Sequence, residues 1–426
     1  MAAAPKARVV VLGAGWWTQG WHLPHLHRHP DAEIVAVVDP CATPRSAIST
    51  LVPLKELGTK YGCATFESFD ACLASGLAFD GVIVCTSHAS HSQLGAQALA
   101  KGKHVLMEKP MTTDPTEARL LHALVQQTGK IFMVNNTANW REQTRIATSW
   151  VAEGRLGRIQ HVSCGMASPL LWLFDEPGND GWCVPSGTMV GNGFGWGQLS
   201  HSLAWVLRVT GLVPSTVYAE MSHSERTGAD LFDCAIVRCD GGASICVQGA
   251  ASVPFSSYTE SGKAIHNVVY GTEGMLTYSG DDKDPASGGL ALKRHDGASD
   301  MQARFEFEDY DALSNGGRGP DSLLAFVAAC AGDEGVFDVR PVGLLGAVER
   351  RRDAALRPAR VRLVHPRLGN QQDGAVARGL EGDGHAGDAR ADDQHVGPAQ
   401  RLIERRKPGE RPAQRDPLRH PCPCSP

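Results

Sequence analysis

A short, almost wholly apolar run that leads directly into two glycines is the feature that most constrains the fold. The stretch "ARVVVLGAG" predicts a buried strand over 8–12, followed at once by Gly13 and Gly15. Nearly continuous apolar strands are typical of parallel sheets that are covered on both faces. A helical pattern comes next, and a second apolar strand, 34–38, ends at Asp39. Strand, glycine turn, helix, strand and acid together predict a βαβ unit.

The glycine turn and the acid predict a dinucleotide site. Gly13 permits the tight turn, and Gly15 lets the backbone approach a pyrophosphate at the helix N-terminus. Asp39 follows Gly15 by 24 residues, a spacing typical of the carboxylate that accepts both ribose hydroxyls of NAD. A carboxylate there repels a 2′-phosphate, so NAD is favoured over NADP. Thr18 replaces the third glycine of the motif, which leaves a glycine turn in another α/β protein as the alternative.

Two adjacent tryptophans, Trp16 and Trp17, stand at the start of this helix. They are candidates for covering a bound cofactor. Paired tryptophans near a helix start also serve in packing, because their large apolar surfaces favour burial. The sequence leaves both interpretations open.

Strand and helix patterns continue to alternate along the chain. The predicted elements are strands at 81–85, 104–107 and 130–134, a helix at about 89–101, and a helix that begins at Asp114 with Pro115 in its first position. Alternation of this kind predicts a parallel sheet whose ligands lie at the carboxyl ends of its strands. We therefore expect a Rossmann domain over residues 1–134.

A charged turn, Glu108-Lys109-Pro110, stops the strand 104–107 abruptly. A strand that ends in water usually ends in Gly, Asn or Ser, so an acid beside a base at a carboxyl end indicates function. Lys109 is the candidate general acid or base for a hydroxyl proton. Pro110 drives the backbone of Lys109 out of the helical region.

These motifs resemble the Gfo/Idh/MocA family of glucose–fructose oxidoreductase and inositol dehydrogenase. The resemblance is carried by the GAG turn with Asp39 and by "CTSHASHSQLGAQALAKGKHVLMEKPM", "EGRLGRI" and "GTEGML". It implies an α/β fold, with a Rossmann doubly wound parallel sheet and a C-terminal α+β domain with an open, largely antiparallel sheet. It also implies homodimers or tetramers, and hydride transfer between NAD(P) and a hydroxyl carbon of a sugar, cyclitol or polyol.

The resemblance also implies roles for individual residues. Lys109 belongs to the catalytic centre, and Glu108 orients that lysine and the cofactor ribose. His201 matches a histidine near the substrate in many members and is the second catalytic candidate. Thr86 and His91, in the most specific part of the match, join the candidate cofactor-binding residues.

The sequence departs from the family in three places. Gly197 stands where many members carry an Asp, four residues before the histidine. The basic residue often found after the strand near 134 is replaced by "NNTANWRE", and the amphipathic pattern that starts at 342–348 is soon lost. The first and third departures favour the alternative function, a non-catalytic NAD-binding sensor of the same fold. A methyltransferase would leave Glu-Lys-Pro unexplained.

Six further strands are predicted at 159–166, 215–220, 231–239, 243–251, 265–270 and 302–307. With the helix 139–153 they form the predicted substrate and oligomerisation domain, 135–337. The loop 168–196 is rich in Trp, Gly and Asn, which suits stacking and hydrogen bonding to a polyhydroxylated ring. An ordinary long loop packed by its own tryptophans is an equal alternative.

The composition changes near residue 338. All 27 Phe, Tyr and Trp residues lie at or before Phe337, and the last 89 residues hold 16 Arg and one Lys. A segment without aromatic residues buries too little apolar area to offset its chain entropy. The tail 338–426 is therefore predicted to be disordered, or to be the out-of-frame product of a GC-rich gene. Its acids are mixed among the arginines, which disfavours a nucleic-acid arm.

The rest of the sequence narrows the class of protein. No apolar stretch approaches the roughly 18 residues of a membrane span, and we see no signal peptide. The twelve Cys are scattered, and no CxxC pair has zinc spacing. We expect a cytoplasmic protein with reduced thiols, no metal and no membrane partner. Residues 1–337 carry a net charge of −10, which argues against a nucleic-acid partner.

Overall fold

The computed structural model describes residues 6–46, 49–175, 193–254, 262–281, 284–297, 300–305 and 319–333. The predicted tail 338–426 lies outside these residues, as do residues 176–192 of the predicted loop. Within the described ranges, no helix combines the length and the apolar character that crossing a bilayer requires.

The first sheet is built from six described strands. They are β1 (Ala7–Leu12), β2 (Ala32–Val38), β3 (Ala64–Phe66), β4 (Gly81–Val84), β5 (His104–Met107) and β6 (Phe132–Val134). The order is β3-β2-β1-β4-β5-β6, and all neighbours are parallel. This is the Rossmann order, so the predicted doubly wound sheet is confirmed. The order reverses between β1 and β4, and ligands of such sheets bind outside the carboxyl ends at that point.

Burial on both faces explains the apolar character of β1. Val9 and Val11 belong to a core on one face of the sheet, whereas Val10 and Leu12 belong to a second core on the other face. The helices in this part of the chain are α1 (Leu23–Arg28), α2 (Leu54–Tyr61), α3 (Phe69–Ala74), α4 (His88–Ala100) and α5 (Pro115–Thr128). The predicted start of α5 is confirmed, because the Asp114 carboxylate accepts a hydrogen bond from the Thr116 backbone N–H at 2.6 Å.

The sequence predicts no element between β2 and β4, where the structure has α2, β3 and α3. These elements have 8, 3 and 6 residues. Periodicity needs a longer window to distinguish a helix or strand from a loop. Short elements held by their neighbours therefore escape the sequence pattern.

The second sheet, in the described part of the chain, has eight strands. They are β7 (Ile159–Ala167), β8 (Pro214–His223), β9 (Asp230–Cys239), β10 (Ser244–Ala250), β11 (Ala264–Gly271), β12 (Gly274–Asp281), β13 (Asp284–Arg294) and β14 (Met301–Arg304). The order is β14-β13-β12-β11-β7-β10-β9-β8, and β7 with β10 is its parallel pair. The predicted, largely antiparallel sheet is confirmed. The strands β12 and β13 are not predicted from the sequence, because Gly, Asp and Ser where they meet resemble a loop.

Helices cover one face of the second sheet. They are α6 (Glu142–Ala152) and α8 (Ser200–Thr210), and a short helix, α7 (Leu171–Phe174), follows β7. Trp205 of α8 is fully buried and stacks on Tyr278 of β12, with ring centroids 4.4 Å apart. On the opposite face, here called the open face, Tyr218, Phe232 and Ile236 are exposed.

The last described helix, α9 (Asp321–Cys330), packs against the first sheet although it follows the second sheet in the chain. Phe326 is fully buried in the core that contains Val9 and Ile83. Gly81 leaves room for this ring, because a Cβ there would lie 2.8 Å from Phe326 Cζ. The domain boundaries predicted from the sequence stay a prediction.

Candidate active site

The glycine turn lies tight against the end of β4. Gly13 has a φ of +93°, and a Cβ built on it would lie 2.1 Å from the Cys85 carbonyl oxygen. Its N–H donates to the Val38 carbonyl at 2.8 Å, which ties the turn to β2. A Cβ on Gly15 would meet no atom within 4 Å. The turn is therefore packed at Gly13 and open at Gly15, which suits the approach of a phosphate.

Asp39 follows β2 and binds the same turn. Its Oδ2 accepts a hydrogen bond from the Ala14 N–H at 2.6 Å, and its Oδ1 accepts one from the Cys41 N–H at 2.7 Å. Burial raises the pKa of Asp39, and these two N–H groups oppose the rise. The carboxylate therefore lies beside the glycine turn, at the carboxyl edge of the first sheet.

The helix that follows the glycine turn has two parts, a π-helical turn, Thr18–His22, and then α1. Trp17 stacks on Trp21 with ring centroids 4.7 Å apart, and Trp16 meets Trp17 edge-on at 5.2 Å. The Trp17 indole Nε1–H donates to Glu108 Oε1 at 3.1 Å. Trp17 therefore both packs along its own helix and contacts the charged turn after β5.

Glu108 follows β5 and is 7% exposed. Its Oε1 accepts hydrogen bonds from Trp17 Nε1, from His22 Nε2 at 2.8 Å and from Asn135 Nδ2 at 2.7 Å. Burial acts to raise the pKa of Glu108, but the contacts with His22 and Asn135 and the charge of Lys109 outweigh it, and the pKa falls to about 2. Glu108 is therefore an ionised carboxylate inside the protein.

Lys109 connects the first sheet to the start of α8. Its Nζ donates to the Gly197 carbonyl at 2.7 Å, and its peptide bond to Pro110 is cis. Gly197 lies in a second π-helical turn, Gly195–Leu199, which leads directly into α8. His201 is half-buried in the first turn of α8, four residues after Gly197. The structure thus brings Lys109 to the turn that precedes His201.

His91, on α4, is fully buried behind this site. Its Nδ1 lies 2.8 Å from the Pro110 carbonyl oxygen, and its Nε2 lies 3.2 Å from the Thr86 carbonyl oxygen. Burial lowers the pKa of His91. The Thr86 hydroxyl accepts a hydrogen bond from Ser90 Oγ at 2.7 Å. His91 contacts the cis turn from inside the protein. Any influence of His91 on cofactor binding would therefore be indirect, through the positions of Pro110 and Thr86.

Two residues of this site, His22 and Asn135, are not predicted from the sequence. A π-helical turn closes hydrogen bonds from i to i+5, which puts Trp17 and His22 on one side of the chain. In a regular helix, with 3.6 residues per turn, Trp17 and His22 would lie on different sides. Helical periodicity therefore gives no signal for His22. Asn135 directly follows β6 at a carboxyl strand end, and it opens the stretch "NNTANWRE" that departs from the family; these are its two signals.

Two buried carboxyl groups lie near the turn that carries Gly197, and one of them binds it. Asp230, at the start of β9, accepts hydrogen bonds from the Gly193 N–H at 2.8 Å and the Gly195 N–H at 2.6 Å. Asp233 lies beside it, and burial together with the charge of Asp230 raises the pKa of Asp233 to about 8. At neutral pH the pair therefore shares one proton.

A Rossmann sheet with a glycine turn and a strand-end carboxylate defines an NAD(P)-binding fold. Two family models match the chain in succession. The first, an oxidoreductase family with an NAD-binding Rossmann fold, matches residues 7–136, and the GFO/IDH/MocA C-terminal domain matches 144–277. Together they cover more than half of the chain. The chain belongs to the Gfo/Idh/MocA family, which confirms the predicted resemblance.

Curated relatives carry the names of sugar reductases and dehydrogenases. The chain is 29% identical to dTDP-3,4-didehydro-2,6-dideoxy-alpha-D-glucose 3-reductase of Streptomyces antibioticus, over 39% of this chain and 48% of that protein. It is 28% identical to D-glucoside 3-dehydrogenase of Escherichia coli, over 37% of this chain and 42% of that protein. The chain thus spans less than half the length of these relatives.

Solved structures share the fold. The 3-ketoreductase KijD10 of Actinomadura kijaniata, in complex with NADP and TDP-benzene, has a TM-score of 0.56 at 20% identity, over 77% of this chain and 91% of that chain. The WlbA dehydrogenase of Bordetella pertussis, in complex with NADH and UDP-GlcNAcA, has a TM-score of 0.51 at 21% identity, over 65% and 78%. The two complexes hold different cofactors.

The buried acid pair predicts that stability depends on pH. A carboxyl whose pKa rises on folding keeps its proton in the folded state, so this contribution to stability is lost as pH rises from about 4 to about 8. Asp233→Asn removes the titration. We expect its free energy of unfolding at pH 8 to exceed that of the parent by on the order of 1–3 kcal/mol. Denaturant unfolding between pH 5 and 8 measures the difference.

Glu225→Gln, which removes an exposed acid in the turn before β9, is the matched control and should keep the parental pH dependence. The groups that act on the pair are Asp230 on Asp233 and His223 on Asp230. Parallel pH profiles of the parent and Asp233→Asn would contradict the shared proton.

Proposed function

We propose that this chain is an NAD-dependent oxidoreductase that transfers hydride between the cofactor and a hydroxyl carbon of a sugar, cyclitol or related polyol. The observation that supports this best is the Lys109 amine at the carboxyl edge of the first sheet, hydrogen-bonded to the Gly197 carbonyl at 2.7 Å. It follows the buried carboxylate of Glu108 directly. A lysine at a cofactor-binding edge is a suitable general acid or base for an alcohol.

The residues at the glycine turn fit a dinucleotide. Gly13 allows the turn to pack on β4, and Gly15 leaves its outer side open for the pyrophosphate. Asp39 accepts the ribose hydroxyls and repels a 2′-phosphate, so NAD is bound in preference to NADP. Trp16 and Trp17 follow the glycine turn in the chain, and Thr86 lies beside the turn, with its Cγ2 3.1 Å from a Cβ built on Gly13.

Side chains of this protein transfer the proton of the substrate hydroxyl and hold the groups that do so. When bound, the cofactor supplies the hydride acceptor or donor. Lys109 Nζ takes the hydroxyl proton in oxidation and returns it in reduction. Glu108 stays ionised beside it and keeps the lysine backbone in place. His201 binds the same hydroxyl, and Gly197 stands four residues before it at the position of the expected Asp.

The substrate class rests on the relatives and on Trp196. The relatives' names describe reactions on sugar rings. Trp196 is 39% exposed and directly precedes Gly197, whose carbonyl binds Lys109. Aromatic faces stack on the apolar faces of sugar rings. We extend the proposal to a ring hydroxyl, with Trp196 as the stacking surface.

The open face supports a homo-oligomer. Ile236 and Tyr218 are direct cross-strand neighbours there, 53% and 56% exposed, and Phe232 on the same face is 43% exposed. Contiguous exposed apolar side chains mark interaction surfaces. A second copy of the chain, presenting the same face, would bury them symmetrically.

Lys109→Ala is expected to reduce hydride transfer by about 100- to 10,000-fold, the usual effect of removing a general acid or base. NAD affinity should change little, because the glycine turn and Asp39 hold the other end of the cofactor. His201→Ala should be milder, or act mainly on KM. The measurement is steady-state turnover of a polyol and sugar panel with NAD.

Lys103→Ala is the matched control, because Lys103 precedes β5 at its opposite end and donates to the Phe79 carbonyl. It should keep parental turnover. If the parent binds NAD and turns over no member of the panel, the sensor alternative is favoured. If Lys109→Ala keeps most of the parental rate, the assignment of the catalytic lysine is wrong.

The parent is expected to bind NADH at least tenfold more tightly than NADPH, because Asp39 repels the extra phosphate. Asp39→Ser should weaken NADH binding and narrow this ratio. Asp31→Asn, an exposed acid before β2, is the control. Fluorescence titration gives the three pairs of dissociation constants, and equal or tighter NADPH binding by the parent would contradict the preference.

Ile236→Asp should convert an oligomeric parent into monomers, because it places a charge in the apolar patch of the open face. Analytical ultracentrifugation at micromolar concentration gives the mass, and thermal unfolding checks that the fold is kept. A parent that sediments as a monomer would contradict the homo-oligomer.

A further inference from the structure

Hydrogen bonds around Glu108 continue past the site described above. Ser322 Oγ, on α9, donates to Asn135 Oδ1 at 2.7 Å, and Asn135 Nδ2 donates to Glu108 at 2.7 Å. His22 Nε2 lies 2.8 Å from the same carboxylate oxygen. All four residues are buried. This set of Ser322, Asn135, Glu108 and His22 is called the carboxylate network.

The chemistry of the partners fixes the direction of each hydrogen bond. An ionised carboxylate can only accept, so the His22 proton that faces it is on Nε2. Asn135 must likewise turn its amide nitrogen to Glu108. The Ser322 hydroxyl then donates to the amide oxygen of Asn135 and holds Asn135 in that orientation. Ser322 of α9 therefore fixes the orientation of the Asn135 amide, which in turn binds the Glu108 carboxylate.

Packing alone does not explain a histidine at position 22. Its Nδ1 is buried and has no hydrogen-bond partner among the described residues. An unpaired buried polar atom destabilises a fold, and an apolar side chain would avoid the loss. The gain from His22 is therefore the contact of its other nitrogen with Glu108.

We propose that His22 and Ser322 are positioning residues that keep Glu108 away from the Lys109 amine. Three donors occupy Oε1, and Oε2 accepts the Lys109 backbone N–H at 3.3 Å. A carboxylate held in this way cannot turn to pair with Lys109 Nζ, which stays on the Gly197 carbonyl. If donors are lost, Glu108 turns and captures the amine as an ion pair. This role rests on the proposed function of Lys109.

The test compares His22→Leu, which removes the donor, with His22→Gln, which keeps an N–H donor of similar reach. We expect His22→Leu to reduce kcat by roughly 10- to 100-fold, the range for loss of an orienting partner, with KM and NAD affinity nearly unchanged. His22→Gln should restore most of kcat. His29→Gln, another buried histidine that follows α1, is the control and should keep parental kcat.

The pH profile of turnover gives a second readout. The titratable groups around Glu108 are His22, Lys109, His91 on α4 and Cys85 after β4. Capture of the Lys109 ammonium by Glu108 makes its proton harder to remove. The acid limb of the profile should therefore move to higher pH in His22→Leu and stay in place in His22→Gln. A limb that does not move in His22→Leu would overturn the capture.

The Trp17 indole gives a readout that needs no turnover, since its Nε1–H donates to the same oxygen of Glu108. In ¹⁵N-labelled protein its resonance, assigned with Trp17→Phe, should shift in His22→Leu and far less in His22→Gln. A parent that turns over no polyol would overturn the proposed function and leave this measurement as the test of Glu108 placement. An unshifted indole would overturn the placement.

Further results decide whether His22 and Ser322 position Glu108. Parental kcat in His22→Leu, or an equal loss in His22→Gln, would overturn positioning by the Nε2 donor. If His22→Leu does not fold, Ser322→Ala tests the far end of the network with a smaller change in volume. A lower kcat at parental KM supports the role of Ser322, and parental kcat overturns it.

Discussion

The buried charge of Glu108 is the constraint on which the rest of the site depends. A carboxylate inside a protein is stable only when donors replace the water it has lost. Trp17, His22 and Asn135 supply those donors from the helix after the glycine turn and from the end of β6. Satisfying one carboxylate therefore fixes the relative positions of three segments. Lys109 is the next residue in the chain, so its backbone is held by the same contacts.

Two π-helical turns bring these groups together. Thr18–His22 places Trp17 and His22 on the same side of the chain, so that both reach one oxygen of Glu108. Gly195–Leu199 presents the Gly197 carbonyl to Lys109 and is anchored by Asp230 of β9. π-Helical turns are rare and occur often at functional sites, because they redirect side chains and backbone groups that a regular helix would hold in place. Here one such turn contacts Glu108 and the other contacts Lys109.

The same turns explain which features of the site can be predicted from the sequence and which cannot. The Rossmann sheet is predictable because the nearly continuous apolar run of β1 reports burial on two faces. The position of Lys109 at a carboxyl edge is predictable because the lysine comes directly after a predicted strand and one further residue. His22 is not predictable from a 3.6-residue period, and its contact with Glu108 depends on the π-helical turn. Asn135 becomes a partner through the neighbouring positions of β5 and β6. The carboxyl pair Asp230 and Asp233 cannot be predicted from the sequence either, because its position near the second turn depends on tertiary packing.

The site also depends on contacts between distant parts of the chain. His22 and Glu108 are 86 residues apart, Lys109 and Gly197 are 88 apart, and Asn135 and Ser322 are 187 apart. Closing such separations reduces chain entropy before the contacts form, so they need a large apolar contribution to hold them. In α9 that contribution comes from Phe326, which is fully buried against the first sheet. The same helix carries Ser322, four residues earlier, to the Asn135 amide. Apolar burial of one helix thus holds a hydroxyl in place, the hydroxyl orients an amide, and the amide binds the carboxylate of Glu108.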